Sequence, residues 1–151
     1  MQEIIRIVLI GGPGTGKTSV IEQLQNQDFQ VLPEISREVT LEAQKQGIEQ
    51  LFLTDPLAFS DRLLDGRIRQ FEQANKGINF YDRGIPDVPA YHRFTGDLIP
   101  ERYENASKVY RYDACFFFPI WEEIYQQDNE RYENLETAKE ISAIIKTEYI
   151  F

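Results

Sequence analysis

The sequence is poor in the residues that staple, anchor or ligate. One cysteine, Cys115, among 151 residues rules out an intrachain disulfide, and its setting in Ala114-Cys115-Phe116-Phe117-Phe118 predicts a buried, inert thiol. Long apolar runs are missing. The stretch near the start is a few residues long, ends in glycines, and has neither a basic leader nor a small-residue cleavage site, so no membrane span or secretory signal is expected. Positive charge is in deficit, with 16 Lys and Arg against 25 Asp and Glu and a net charge of −9. With no basic patch to offset it, such a surface repels nucleic acid and anionic lipid. His92 is the only histidine, and the absence of nearby partners points to a structural part for it. Repeats and low-complexity linkers are absent as well, so residues 1–151 are expected to form one domain with a real core. The cytoplasm is the expected compartment.

What the chain does have is concentrated in residues 4–18. An apolar β-branched run, Ile4-Ile5-Arg6-Ile7-Val8-Leu9-Ile10, meets Gly11-Gly12-Pro13-Gly14-Thr15-Gly16-Lys17-Thr18, and Ser19-Val20-Ile21-Glu22-Gln23-Leu24 follows with helical character. Gly11, Gly16, Lys17 and Thr18 satisfy the spacing of a phosphate-binding loop, and the flanking strand and helix are the context that motif requires. Glycines allow the backbone to curl so that successive N–H groups point inward at phosphate oxygens, and the following helix adds the positive end of its dipole. Residues Gly11 through Ser19 are therefore the expected nucleotide cradle. Lys17 is expected to reach the β- and γ-phosphates of ATP, with the Thr18 hydroxyl on Mg²⁺.

Beyond the loop the periodicity predicts alternating helices and strands. Ser19 to Gln27 reads as a helix, and Phe29 to Leu32 as a short strand stopped by Pro33. Ser36 to Gln46 and a longer segment from Asp55-Pro56 to Gly77 read as helices, the second carrying Leu57, Leu64, Ile68 and Phe71 on its apolar side. A strand, Ile78 to Tyr81, ends at Asp82-Arg83-Gly84. Shorter helices are expected over Ile85 to Phe94, interrupted by Pro86 and Pro89, and over Pro100 to Tyr110. Asp113 to Phe118 is the most apolar run and reads as a central strand buried on both faces. A polar segment, residues 121–133, precedes a final helix from Asn134 bearing Leu135, Ala138, Ile141 and Ile145. This alternation implies an α/β fold with a parallel sheet between helical layers. In such sheets ligands bind at the carboxyl ends of strands, where the loop, Glu34 and Asp82 all fall.

Gly11 to Thr18, Glu34-Ile35-Ser36-Arg37, Tyr81-Asp82-Arg83-Gly84 and Asp128-Asn129-Glu130-Arg131 together resemble the P-loop ATPase/kinase domain family of the AAA-like kind, which includes the nicotinamide-riboside kinase domain. The resemblance spans nearly the whole chain. It implies the P-loop NTPase three-layer α/β/α fold, with a sheet of nucleoside- and nucleotide-kinase type, strand order 2-3-1-4-5, and a lid over about residues 121–133. The fifth strand is expected to be a stub or missing in residues 1–151, which stop at Tyr149-Ile150-Phe151. By the same resemblance Asp82 supports Mg²⁺ or orients the acceptor hydroxyl, Glu34 accepts that hydroxyl's proton, and Arg37 and Arg83 bind the acceptor or a phosphate. Arg131 would bring a guanidinium to the transferring group. Each of these residues also has a plainer reading: a turn or cap for Asp82, an i, i+3 pair between Glu34 and Arg37, a surface ion pair for Arg83, and a solvated charge for Arg131.

The expected function is that of a small-molecule kinase, moving the γ-phosphate of ATP with Mg²⁺ to a nucleoside- or nucleotide-like acceptor. Its main rival is a nucleotide-hydrolysing switch without a small acceptor. Guanine specificity is disfavoured because Asn75-Lys76 runs into Gly77-Ile78 and lacks the aspartate of an N-K-x-D element. A ring-forming ATPase would need a second helical domain.

Overall fold

A computed structural model of the chain describes residues 3–11, 15–120 and 135–150. Four strands, β1 (Ile4–Ile10), β2 (Gln30–Leu32), β3 (Gly77–Asp82) and β4 (Ala114–Phe117), form a parallel sheet in the order β2-β3-β1-β4. The helices are α1 (Lys17–Asn26), α2 (Ser36–Lys45), α3 (Leu51–Thr54), α4 (Pro56–Glu72), α5 (Asp87–Thr95), α6 (Glu101–Val109) and α7 (Leu135–Glu148). None of these helices is long and apolar enough to cross a membrane.

Strand β1 sits between β3 and β4 and is buried at Val8, Leu9 and Ile10. Because side chains alternate across a strand, these three feed two different layers. Val8 and Ile10 pack with Tyr81, Ala90, Ile141 and Ile145, on the side of α5 and α7. Leu9 turns to the other face and meets Phe80 and Ile21 of α1. Each fully buried aliphatic chain of this kind stabilises the fold by about 1.5–3 kcal/mol. The register Leu9↔Asp82 brings the ends of β1 and β3 level, so Gly11 and Asp82 leave the sheet side by side.

Helix α4 departs from its sequence pattern in an instructive way. Asp55 caps it, accepting from the Ala58 amide at 3.1 Å, and Pro56 opens its first turn, where no donor is needed. Leu64 and Phe71 are buried with Ile85, Val88 and Tyr103 in a second core cluster, as the heptad spacing predicts. Leu57, expected on the same stripe, is exposed, while Arg67 is buried. Nor do the prolines interrupt α5. Pro86 is its N-cap and Pro89 falls in the first turn, whose N–H groups have no intrahelical acceptor.

The expectation for the strand at 113–118 is corrected. Strand β4 pairs with β1 alone among the described residues, and Ala114, Cys115 and Phe116 are exposed. An apolar run does not tell an outer position in a sheet from a central one. Cys115 is accordingly exposed, not buried. Partial burial of the sulfur and the Asp87 carboxylate push its thiol up to about 11, which keeps it protonated at neutral pH.

Candidate active site

The turn after β1 begins at Gly11, whose φ of +155° and surroundings both demand glycine: a Cβ there would stand 2.7 Å from the Phe118 carbonyl oxygen. Gly16, at φ +80°, is the N-cap of α1. Gly12, Pro13 and Gly14 of the expected cradle lie outside the described residues. The Thr15 hydroxyl is buried with no hydrogen-bond partner among the described residues, an orphan of the kind a bound oxyanion would satisfy. Lys17 opens α1, and its Nζ donates to Oδ1 of Asp82 in a pair that is largely shielded from water. Thr18 stands beside it on the wall of the same cleft, whereas Ser19 lines a shallow depression along α1 and not this cleft.

That cleft has a volume of about 840 Å³ and runs from Lys17, Thr18 and Asp82 past Glu34 and Arg83 into a chamber between α2, α4 and α5. Glu34 lies two residues beyond β2. Its Oε1 accepts from the Ser36 amide at 2.9 Å and from Nη2 of Arg67 at 3.1 Å, and its Oε2 accepts from the Ser36 hydroxyl. Burial alone would raise the Glu34 carboxyl. The Arg67 guanidinium, the two Ser36 donors and the charge of Arg83 outweigh it and hold the group below the usual carboxylate range. Glu34 does not pair with Arg37. Arg37 is exposed on the cleft wall and has no hydrogen-bond or ion-pair partner among the described residues.

Arg67 is a site residue that the sequence reading missed. It is 4% exposed, spans from Glu34 to the Gly84 carbonyl at 3.2 Å, and has an Nε without a partner among the described residues. A signal was present: Arg67 falls three residues after Leu64 and four before Phe71, on the apolar stripe of α4. A cation there must be paired, because burying it alone costs several kcal/mol.

The turn after β3 carries the remaining groups. Arg83 adopts φ +70° and donates to the Tyr91 hydroxyl at 3.0 Å, so it is no surface ion pair. Tyr91, Asp87 and Glu34 raise its pKa against the opposing effect of burial, and it stays charged. Gly84 is required because a Cβ would meet the hydroxyls of Tyr112 and Tyr149 at 2.8 Å. Asp87, fully buried, accepts from the Gly84 amide at 3.3 Å and from the Tyr149 hydroxyl, which locks this turn to the end of α7. His92 stands on the cleft wall and bridges the Ser60 hydroxyl and the Leu98 carbonyl. Trp121, Tyr125 and the segment with Arg131 lie outside the described residues.

Loop, strand ends and cleft together define a P-loop fold of the nucleoside- and nucleotide-kinase type. A family model described as an AAA domain matches residues 6–150, and the chain belongs to that family. A search of the curated proteins found no match. Among solved structures, the chain is similar to a deoxyadenosine kinase from M. mycoides with the products dCMP and a flexible dCDP bound, at 15% identity and a TM-score of 0.65, covering 96% of this chain and 83% of that one. The same enzyme with bound dATP gives 16% identity and 0.56, covering 96% and 81%. Shikimate kinase from Aquifex aeolicus gives 16% and 0.53, covering 96% and 82%. At such identities the likeness is one of fold.

Proposed function

We propose that the protein is a small-molecule kinase that transfers the γ-phosphate of ATP to a hydroxyl of a nucleoside- or nucleotide-like acceptor. One observation carries this reading: the Lys17–Asp82 pair and the Glu34–Arg67 pair open into the same cleft, with a chamber of acceptor size beyond Glu34. A switch that only hydrolyses nucleotide has no use for that chamber.

In the proposed reaction Lys17 exchanges Asp82 for the β- and γ-phosphates, while the amides of the Gly11–Thr18 turn and the Thr15 hydroxyl hold phosphate oxygens. Thr18 and Asp82 supply hard oxygen donors on one wall, which fit Mg²⁺, an ion that keeps most of its waters and takes few protein ligands. Mg²⁺ would neutralise charge on the phosphates. Glu34, ionised at neutral pH, orients the acceptor hydroxyl and takes its proton as the oxygen bonds to the γ-phosphorus and the bond to the β-bridging oxygen breaks. A weakly basic carboxylate suffices, because the transition state is loose and the nucleophile loses its proton late. Arg83 and Arg37 face the cleft as cations for acceptor or phosphate, and Arg131 is proposed as the lid's contribution to the transferring group. Soluble, cytoplasmic operation on small molecules fits the acidic surface.

The test is a screen of nucleosides, nucleotides and pyridine nucleosides for ATP consumption above the acceptor-free rate. An active acceptor supports the kinase, and slow hydrolysis that no acceptor stimulates replaces it with the switch.

A further inference from the structure

We infer that the end of the cleft remote from Lys17 selects acceptors that present a hydrogen-bond donor, an exocyclic amino N–H, to Ser60. The inference rests on the kinase reading above for its account of what enters the cleft. Its origin is the tautomer of His92. Nδ1 lies 3.0 Å from the Leu98 carbonyl oxygen, which carries no proton, so Nδ1 is the protonated nitrogen. In the neutral ring Nε2 is then a bare acceptor. Ser60 Oγ stands 2.7 Å from it and must donate. The Tyr103 ring, edge-on to the imidazole at 5.2 Å, holds that orientation.

Ser60 has no other hydrogen-bond partner among the described residues, so its single proton is committed inward and only lone pairs turn to the cleft. The Thr95 proton is committed as well. Thr95 Oγ1 lies 2.7 Å from Oδ2 of Asp97 and 3.1 Å from the Tyr91 carbonyl, both proton-free acceptors. Asp97 adds an exposed carboxylate on the same wall. A ligand carbonyl at this end would face lone pairs, whereas an N–H would be satisfied.

Helix α4 also sets a length. Ser60 and Arg67 are seven residues apart on one face, about 10 Å along the axis, and Arg67 holds Glu34. Between them the wall is apolar, with Phe59 and Leu63. The acceptor class that fits has its reacting hydroxyl at Glu34, a flat apolar middle, and a donor roughly 10 Å away. Nucleosides whose base carries an exocyclic amino group meet all three conditions.

Matched pairs differing in amino against oxo, adenosine with inosine and cytidine with uridine, test this by calorimetry on the full chain without ATP and by transfer kinetics with it. The amino member of a pair should bind about tenfold more tightly, the worth of one such hydrogen bond. Ser60→Ala should shrink that preference to about twofold or less. His92→Phe, which frees the Ser60 proton, should move the preference toward the oxo compound. Should either variant fail to fold in a thermal melt, the wild-type preference decides alone. Equal or tighter binding of the oxo members, binding of none of the four, or a preference that survives in Ser60→Ala overturns the inference. Discrimination in binding without any transfer would remove the kinase reading and leave the inference standing. Transfer to oxo and amino compounds alike would do the reverse.

Discussion

The two ends of the cleft are built from different materials. At the phosphate end, charges are held in pairs: Lys17 on Asp82, and Glu34 on Arg67, with backbone amides and buried hydroxyls around them. At the acceptor end the wall is of aromatic and aliphatic groups, Phe52, Phe59, Leu63 and Val88, with hydroxyls whose protons are already committed to protein acceptors. In the reaction proposed above, paired charges fix geometry common to any acceptor, whereas the apolar end determines which molecule is admitted. Phe52, 43% exposed, shows that the rim of the acceptor end is open to solvent, while Lys17 at the other end is 8% exposed.

The largest effect that would break this contrast is at Lys17. Lys17→Ala is expected to lower ATP turnover about 10²- to 10³-fold, the scale of losing one preorganised donor to a transferring group. Its fold should persist, as read by circular dichroism. Unchanged calorimetric affinity and rate would remove the phosphate end as defined here. Next comes Arg67, where the consequence is stability as well as rate. Arg67→Met leaves the Glu34 carboxylate without its cation, and chemical denaturation should show a loss of about 3 kcal/mol, because breaking a buried pair strands its partner. Combining it with Glu34→Gln should recover part of that loss, since the two residues share one interaction. Strict additivity would mean that the pair is not coupled.

A smaller effect concerns pH. Glu34 has a folded pKa below its unfolded value, so its ionised form stabilises the protein above the ordinary carboxylate pKa of about 4.3. That contribution is lost as pH falls through the lowered folded value. Glu34→Gln should therefore flatten the acid limb of the melting temperature between about pH 5 and pH 3 and leave its slope near pH 7 unchanged. An acid limb identical to that of the wild type would show that Arg67 does not hold the carboxyl down.

The same contrast explains what could be read from the sequence. The phosphate end is written in backbone geometry: glycines where φ is positive or space is lacking, a lysine after the turn, and acids at or just past strand ends. The parallel sheet and the convergence of Gly11, Glu34 and Asp82 follow from alternation of strands and helices, whereas the strand order is what the family resemblance implies. Arg67 escaped because a charged residue in a helix is read as solvent-facing unless its neighbours three and four positions away are weighed, and Leu57 was misplaced for the converse reason. β4 was misplaced because hydrophobicity reports burial capacity and not the number of neighbouring strands. The acceptor selectivity inferred above has no motif at all: it depends on the direction of a proton in Ser60, set by a histidine 32 residues away in the chain.

Glu34 is the group that joins the two ends. Steady-state kinetics of Glu34→Gln with an acceptor identified by screening, alongside calorimetry with Mg-ATP, tests it most directly. The expected result is transfer slowed about 10²- to 10⁴-fold, the usual worth of a positioned general base, with ATP affinity within about twofold of wild type. Transfer at the wild-type rate in that variant would contradict the account.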